Sequence, residues 1–390
     1  MDRTLKDKCA IAGIGWTKYT KASGVSTLAL AAEACKKAID DSGLPIDEVD
    51  GIVTHNMNDS CSPQDVAASL GLPELRWHEE HWVGGAGSAR MVAEAAMAII
   101  CGMATNVVCF RAMNGRSGRR LGGTGERPST TGEGQFLYPY GWTSFIHACC
   151  LFASRHMALY GTTERQLGAI AIAQHKHAML NDRAMLRKPI TMDDYLNSKM
   201  IAYPFHIYDI TLETDGACAV LVTTSERAKD LKKKPVYIMS AAHGGGPDNS
   251  AFDMNSGAFL RTPEPSNMYS HYVAKHLFGM AGITPQDVDV AEIYDEVTMA
   301  ALVQLEDFGF CKKGEGGPFV ESGAIELGGK LPLNTHGGFL CEGYIHGINH
   351  VAEAVQQLRG ECGARQVKDA EIAITSGVGI TVGSALLLRR

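Results

Sequence analysis

The 390-residue chain contains an internal repeat, which constrains its fold more than any single motif. The segments SGLPIDEVDGIVTH (42–55) and AGITPQDVDVAEIY (281–294) match as a helix end, a glycine-containing turn, an acidic stretch and a strand. Further on, VAEAAMAIICG (92–102) matches VAEAVQQLRG (351–360), and both lead into apolar strands. Helix and strand alternate within each half, which predicts parallel strand pairing with helices on the sheet faces. Two matched blocks in the same order favour a duplicated α/β fold over a chance likeness.

The repeat predicts an N-terminal half over 1–228 and a C-terminal half over 234–390, separated by the lysine-rich stretch KDLKKKP (229–235). We expect the first half to include an inserted region, 114–200. It opens with a segment rich in Gly, Arg, Ser and Thr (114–142), and a loop of this length is usually functional or disordered. The arginines of GRSGRR (115–120) are suited to phosphate groups, but a salt-bridged or partner-facing loop explains them equally well.

The composition excludes several classes of protein. A net charge of −7 and a pI near 6.1 give no electrostatic reason to expect nucleic acid or an anionic membrane as partner. No apolar run reaches the roughly 20 residues that span a bilayer, and the N-terminus lacks a signal-peptide pattern. Eleven scattered cysteines without a CxxC pair indicate reduced thiols. We therefore expect a soluble, cytoplasmic protein with no metal site.

Two tyrosines stand in motifs that resemble functional turns. The segment NTHGGFLCEGYIHG (334–347) holds Tyr344 at a glycine-flanked turn before a helix, and AEIYDEVT (291–298) holds Tyr294 directly after a predicted strand. Either phenol could instead be a core aromatic with a hydrogen-bonded hydroxyl. A phosphate-binding loop is not indicated, because no GxGxxG follows the first strand and no GxxxxGK[ST] is present.

These motifs resemble those of the thiolases. NTHGGFLCEGYIHG is similar to the thiolase stretch Asn-x-x-Gly-Gly … Gly-His-Pro-x-Gly, and DGACAVLV (215–222) is similar to the thiolase block Asp-Gly-Ala-x-Ala. The resemblance covers essentially the whole chain and is closest to the branch of sterol-carrier-protein-type thiolases and steroid side-chain-cleaving aldolases. It implies an α/β thiolase fold, with two pseudo-repeated mixed-sheet halves and helices on both faces in five αβαβα layers.

The two catalytic cysteines of a thiolase are missing. The nucleophile position, at the start of the helix in VGGAGSARMVAEAAMAII (83–100), falls on Ala86 or Gly85. The second cysteine should lie near AITSGVGITVG (373–383), where the chain has Thr375 and Ser376 followed by Gly377. Without a thiolate, the covalent route through an acyl-enzyme is lost.

The same comparison assigns roles to the two tyrosines. Tyr344 replaces the thiolase histidine, and Tyr294 falls on the facing Asn/His position. Cleaving the bond between the α and β carbons of an acyl-CoA leaves an enolate, whose oxygen needs a hydrogen-bond donor. We assign that donor role to Tyr344 and removal of the β-hydroxyl proton to Tyr294. An ordinary tyrosine pKa of about 10 means that the base needs help from neighbouring groups.

The remaining candidates come from these motifs and from HGGG (243–246), at a predicted strand end. The histidines that could assist the phenols are His243, His336 and His346, and each could equally be a packed residue satisfied by backbone. The resemblance implies that substrate or CoA meets a further set of residues: Gly85, Ala86, Asn334, His336, Gly338, Cys341 and Gly377. Coenzyme A is expected as part of the substrate, and no tightly bound cofactor is expected.

Three functions remain open from the sequence. The leading interpretation is retro-aldol cleavage of a bulky β-hydroxyacyl-CoA. The main rival is thiolytic cleavage of a β-ketoacyl-CoA of the benzoylsuccinyl-CoA kind, with Cys341 or the CoA thiol attacking directly. The third is a non-catalytic acyl-CoA-binding scaffold. The segments 342–347, 307–323 and 357–367 resemble members that work beside a small OB-fold zinc-ribbon protein. We expect a homodimer that pairs through strand 107–114 and forms a heterotetramer with this partner.

Overall fold

The computed structural model describes residues 5–120, 134–142, 144–246, 264 and 266–390. Within these ranges a nine-stranded mixed sheet and a separate two-stranded hairpin account for the strands. In chain order the strands are β1 (Cys9–Trp16), β2 (Gly51–Asn56), β3 (Trp77–Trp82), β4 (Val107–Asn114), β5 (Met200–Ala202), β6 (Phe205–His206), β7 (Asp215–Thr224), β8 (Val236–Gly245), β9 (Val290–Glu292), β10 (Ile372–Val378) and β11 (Val382–Arg389).

The α-helices of the described residues cover both faces of this sheet. In chain order they are α1 (Thr27–Ser42), α2 (Pro63–Leu70), α3 (Gly87–Ile100), α4 (Gly134–Leu137), α5 (Phe145–Tyr160), α6 (Glu164–Ala178), α7 (Met192–Leu196), α8 (Ser225–Ala228), α9 (Tyr269–Ala281), α10 (Thr298–Asp307), α11 (Gly316–Glu321), α12 (Gly338–Cys341) and α13 (Ile348–Arg359).

The strand order displays the internal repeat. The sheet runs β3-β2-β4-β7-β1-β8-β11-β10-β9, so the first half contributes five neighbouring strands and the second half four. The halves join where β1 and β8 pair antiparallel. Counted outward from this junction, β1, β7, β4 and β2 correspond to β8, β11, β10 and β9. The matched sequence blocks fall on α1–β2 and α9–β9, and on α3 and α13. The exact division of the chain at 228 and 234 stays a prediction.

Strand directions are more mixed than helix–strand alternation predicts. β2 pairs parallel with β3 and β4, and β9 pairs parallel with β10. β7 and β11, however, are antiparallel to both of their neighbours. The reason in the second half is local: β10 and β11 form a hairpin across residues 379–381, and a tight turn can join only antiparallel strands.

Helices α3 and α13 form the central layer. Each contacts strands of both halves, whereas α1 lies against β1, β4 and β7 and α9 lies against β8 and β11. A helix that packs against strands of both halves is buried on several sides and needs small or apolar residues almost all round. The composition of α3, GSARMVAEAAMAII, satisfies this requirement. The N-terminus of α3 therefore opens into the interior between the two halves.

The region between β4 and β7 packs over the second half. Its helix α6 contacts α10, α11 and α12, which surround the motif containing residues 334–347. Arg120, in the glycine- and arginine-rich segment, forms an ion pair with Glu213. Residues 121–133 of that segment lie outside the described residues.

The prediction that strand 107–114 pairs two subunits is wrong. β4 (107–114) lies inside the sheet and pairs with β2 on one side and β7 on the other. Its backbone groups are therefore already used, and it cannot pair with a second subunit. The free edge of the first half is β3.

In the described part of the chain, no helix is both long and apolar enough to cross a bilayer.

Candidate active site

Two phenols meet at the centre of the site. Tyr294 follows β9, and Tyr344 lies in the turn between α12 and α13. Their hydroxyl oxygens are 2.7 Å apart, which is hydrogen-bonding distance. Phe339 packs edge-on against both rings, at centroid distances of 4.6 and 4.9 Å. The fold thus brings together two tyrosines that are 50 residues apart in the chain.

Hydrogen bonds fix the backbone on both sides of the Tyr294 ring. The Tyr294 N–H donates to Ser376 Oγ at 2.9 Å, Ser376 donates to Gln304 Oε1 at 2.7 Å, and the Gln304 amide donates to the Tyr294 carbonyl at 2.7 Å. The Asn334 side chain pairs with both backbone groups of Ile293, at 2.7 and 2.8 Å. Asn334 and Ser376 therefore position Tyr294.

The Tyr294 hydroxyl lies against the start of α3. A β-carbon at Gly85 would overlap this hydroxyl, far inside van der Waals contact. Gly377 packs against the same point, because its own β-carbon would lie 2.5 Å from the Gly85 carbonyl oxygen. Ala86 contributes only a methyl group and is buried. The phenol pair thus lies at the helix start, where the resemblance to thiolases places the nucleophile.

Burial keeps both phenols protonated. It raises the pKa of Tyr294 well above its ordinary value, and the neighbouring Tyr344 and Glu296 raise that pKa further. Burial also raises the pKa of Tyr344, which Glu296 raises further, while the hydrogen bond with Tyr294 opposes the change. The predicted base is therefore not a resting tyrosinate. The site holds two neutral phenols that share one hydrogen bond.

His346 adjoins this pair. Its ring stands edge-on to Tyr344, with centroids 4.7 Å apart, and it stacks on His55 at 5.6 Å. Arg111 donates to His346 Nδ1 from Nε at 3.2 Å and from Nη2 at 3.1 Å. Burial and the Arg111 charge lower the pKa of His346 to about 3, against the opposing effect of Asp59. His346 is therefore neutral at physiological pH.

His336 lies in a separate, fully buried network of charges. Its Nδ1 is 2.9 Å from Glu292 Oε2, and its Nε2 is 3.6 Å from Glu342 Oε2. Although burial opposes it, the charges of Glu342 and Glu292 raise the pKa of His336 to about 9. His336 is therefore a cation held by carboxylates, and among the described residues it makes no hydrogen bond or ring contact with either phenol.

This network resembles a metal site only in its residue types. Glu292, His336 and Glu353 bring potential ligand atoms within 4.8 Å of one another. Arg365 donates to both oxygens of Glu353 at 2.9 and 3.0 Å, and Arg183 donates to one of them at 3.0 Å. Since cations already hold these oxygens, the donor set does not fit a divalent metal.

Two further predicted binding residues, Gly338 and Cys341, lie in the protein interior next to the turn that carries Tyr344. A β-carbon at Gly338, whose φ is +60°, would overlap Asp295 Oδ2. That approach lets the Asp295 carboxylate accept the Phe339 N–H at 3.1 Å. Cys341 is fully buried, and burial raises the pKa of its thiol well above the ordinary value. Cys341 is thus a core thiol, poorly suited to attack a thioester.

The structure places His243 apart from the phenols. It lies exposed on β8, opposite Ser384 of β11. Burial of part of the ring and the charge of Arg90 lower its pKa, and Glu94 opposes this. Arg90 and Glu94 are on the body of α3, beyond the helix start that faces Tyr294. In the described part of the chain His243 makes no hydrogen bond or ring contact with either tyrosine.

Sequence reasoning missed three residues of the site. Arg111 is fully buried in β4 and ion-paired with Asp59 at 2.5 Å. Glu296 is 5% exposed, and neither of its carboxyl oxygens has a hydrogen-bond partner among the described residues. Burial, with the charge of Asp295, raises its pKa to about 8. The arginine inside the apolar run VVCFRAM could have pointed to Arg111, because an arginine in a buried strand is rare unless it has a partner.

Comparison with known proteins agrees with this architecture. Residues 257–388 match the family described as thiolase C-terminal domain-like. The chain is 41% identical, over 98% of its own length and 100% of the relative, to a 17-hydroxy-3-oxo-4-pregnene-20-carboxyl-CoA lyase of Mycobacterium tuberculosis. It is 38% identical, over 98% of both chains, to a steroid side-chain-cleaving aldolase of Thermomonospora curvata.

Solved structures give the same result. An Ltp2-ChsH2(DUF35) aldolase superposes with a TM-score of 0.92 at 38% identity, covering 99% of this chain and 98% of that one. Human mitochondrial 3-ketoacyl-CoA thiolase superposes with a TM-score of 0.69 at 13% identity over 99% of both chains, which shows the fold alone. The predicted thiolase fold and the predicted branch are confirmed. This chain belongs to the thiolase superfamily, in the branch of the acyl-CoA lyases and side-chain-cleaving aldolases.

Proposed function

We propose that this protein cleaves a carbon–carbon bond in a bulky β-hydroxyacyl-CoA by a retro-aldol reaction. The observation that carries this proposal is the Tyr294–Tyr344 hydrogen bond at the start of α3, where Gly85 and Ala86 offer no nucleophile. The names of the two relatives, an acyl-CoA lyase and an aldolase, support the same reaction class. The acyl group of this chain's own substrate is proposed as bulky on the strength of those names.

The two phenols suit a proton relay. Retro-aldol cleavage moves the β-hydroxyl proton to the α-carbon while the electrons of the broken bond form an enolate. In our proposal Tyr294 accepts the hydroxyl proton as its own proton crosses the 2.7 Å hydrogen bond to Tyr344. In the same step Tyr344 gives its own proton to the α-carbon of the enolate. Both phenols end neutral, so the reaction needs no resting tyrosinate, which the raised pKa of each phenol disfavours.

Thiolysis fits the site less well. It needs a thiolate or an activated CoA thiol, together with a group that removes the thiol proton. The Cys341 thiol is buried, and its pKa is raised. Ser376, near the second cysteine position, is committed to Tyr294 and Gln304. The cysteine-dependent chemistry of thiolases therefore has no equivalent among these groups.

We also propose two protein contacts. The similarity to an Ltp2-ChsH2(DUF35) complex supports a small partner protein, which we propose is of the OB-fold zinc-ribbon type. Homodimerisation is proposed through β3, the free edge of the first half, to give a heterotetramer. Light scattering of the chain alone and with its co-expressed partner tests both contacts, and a monomer indifferent to the partner would contradict them.

The reaction itself is tested by product analysis without free CoA. We expect a β-hydroxyacyl-CoA with a tertiary or ring-borne hydroxyl to yield a ketone and a shortened acyl-CoA in equal amounts. The matching β-ketoacyl-CoA serves as control, with and without CoA, and intact-protein mass spectrometry should show no acyl adduct. A strict requirement for free CoA, or an acyl group mapped to Cys341, would replace the aldolase proposal with the thiolase one.

A further inference from the structure

Arg111 is a buried cation whose hydrogen bonds converge on the site. It lies on β4 and is fully buried, beside residues that are otherwise apolar. Its Nη2 is 2.5 Å from Asp59 Oδ2, and its Nη1 donates to the Ala112 carbonyl at 3.2 Å. Nε and Nη2 both donate to His346 Nδ1. Burying such a pair is costly in free energy, and replacing it with apolar residues is often stabilising. Its presence therefore calls for a role other than stability.

The direction of these bonds fixes the state of the imidazole. A guanidinium has donors and no acceptor, so His346 Nδ1 must offer a lone pair. An imidazole with an unprotonated Nδ1 is neutral and carries its proton on Nε2. The neighbouring His55 holds the opposite tautomer, because its Nδ1 lies 3.0 Å from the Val83 carbonyl and must donate to it. The two stacked rings are thus set independently.

We propose that Arg111, held by Asp59, is a positioning residue that fixes His346 as the Nε2–H tautomer, so that Nε2 donates a hydrogen bond to the thioester oxygen beside Tyr344. This inference rests on the proposed function and deepens it. The His346 ring stands edge-on to Tyr344, and Nε2 has no hydrogen-bond acceptor within the described residues. In the relay Tyr344 surrenders its proton, so the enolate oxygen needs another donor that keeps its own.

A neutral imidazole meets this need. Its remaining N–H proton is far less acidic than that of an imidazolium, so it polarises a carbonyl without transferring the proton. The titratable or charged groups that face His346 are Arg111, Asp59, His55 and Tyr344. Burial and Arg111 hold the pKa of His346 low, and Asp59 is the group that opposes them. Removing Arg111 should therefore raise the pKa of His346, while burial still holds it below the ordinary histidine value.

The test combines nitrogen NMR with a double-mutant cycle. In the wild-type protein labelled with ¹⁵N-histidine, we expect His346 to show an unprotonated Nδ1 and a protonated Nε2 from about pH 5 to 8. His346→Asn assigns the signals and tolerates the positive φ of +48° at this position. We expect it to lower kcat about 100-fold with a smaller change in KM, as for other oxyanion donors.

Arg111→Met should lower kcat about 10- to 100-fold and should move the acid limb of the pH profile to a higher pH than in the wild type. In the Arg111→Met/His346→Asn double variant, kcat should fall no further than in His346→Asn alone. Arg187→Met, at a surface arginine paired with Asp182, is the matched control and should leave kcat unchanged.

Three results would overturn the proposal: a proton on Nδ1, titration of wild-type His346 near pH 6, or losses in the double variant that simply add. If Arg111→Met does not fold because Asp59 is left unpaired, Asp59→Asn/Arg111→Met removes both charges and takes its place. If neither variant folds, the wild-type nitrogen spectrum decides alone. The NMR result does not depend on activity, and product analysis of the wild-type enzyme separates failure of this proposal from failure of the proposed reaction.

Discussion

Replacing Tyr294 or Tyr344 by phenylalanine isolates the hydroxyl pair. Each substitution deletes one end of a 2.7 Å hydrogen bond and keeps the ring that packs on Phe339. A lost hydrogen bond costs about 1 kcal/mol, and leaving the buried partner hydroxyl unpaired raises the cost to about 1–3 kcal/mol. We therefore expect the free energy of unfolding to fall by that amount, and the melting temperature to fall by only a few degrees.

The expected effect on catalysis is larger. If both phenols relay the proton, either variant breaks the relay, and kcat should fall about 100- to 1000-fold, or about 3–4 kcal/mol in activation free energy. The double variant should be no slower than the slower single variant, because both changes remove one pathway. Tyr203→Phe, at a tyrosine that is 62% exposed, is the matched control and should behave as wild type.

The assay is steady-state ketone release between pH 6 and 10, together with thermal unfolding of each variant. Because burial raises the pKa of both phenols, the wild-type kcat should not climb with pH as phenol ionisation would require. A tenfold rise per pH unit would indicate a tyrosinate base and refute the relay. Wild-type kcat in both phenylalanine variants would make these tyrosines core residues.

Three further predictions follow from the same geometry. Gly85→Ala should lower kcat at least about 100-fold, because its β-carbon overlaps the Tyr294 hydroxyl, whereas Gly279→Ala has open space in a helix and should stabilise the protein by about 0.5–1 kcal/mol. Burial raises the pKa of Glu296 to about 8, so the free energy of unfolding should decline from about pH 4.5 to 8 as the folded protein resists losing this proton. The decline is worth ~5 kcal/mol at most. Denaturant titrations should show that Glu296→Gln removes it. The charges of Glu342 and Glu292 raise the pKa of His336 to about 9, so its ion pairs stabilise the fold fully below about pH 6.5 and lose that effect as the pH rises through 9. His336→Gln should flatten this second decline in the free energy of unfolding. An unchanged dependence of that free energy on pH would contradict the assignment.

The sequence predicted the fold well because repeats and apolar patterns report on local structure. The blocks ending at His55 and Tyr294 fall on equivalent strands, β2 and β9, as the repeat required. The direction of the strands was harder to predict from the sequence, since β7 pairs with β4 only after a long insertion. The position of β4 inside the sheet depends on pairing between distant segments, which spacing along the chain does not reveal, and the strand predicted to pair two subunits was therefore an internal one.

The site was predicted where a motif fixed a backbone position, and missed where distant side chains meet. Tyr294, Tyr344 and Gly85 converge because each stands at a motif turn. Asn334 and Cys341 share those motifs, yet their side chains face the interior and support the turn. Contact between Arg111 and a residue 235 positions later could not be read from spacing, because only the folded sheet brings them together.

Residue 85 is one of the two positions, with residue 86, at which the resemblance to thiolases places the nucleophile, and there a nucleophile would compete with the phenol pair for space. The Tyr294 hydroxyl occupies the space that any β-carbon at residue 85 would need, so a side chain there and this hydroxyl exclude each other. Gly377 is constrained in the same way, because its close approach to the Gly85 carbonyl leaves the helix start no room to move back. A cysteine introduced at residue 85 would consequently displace the phenol before it could act as a nucleophile. With a nucleophile at residue 85 the two chemistries would be alternatives for a single site, which residues from both halves of the fold form: Gly85 from the first and Tyr294 from the second.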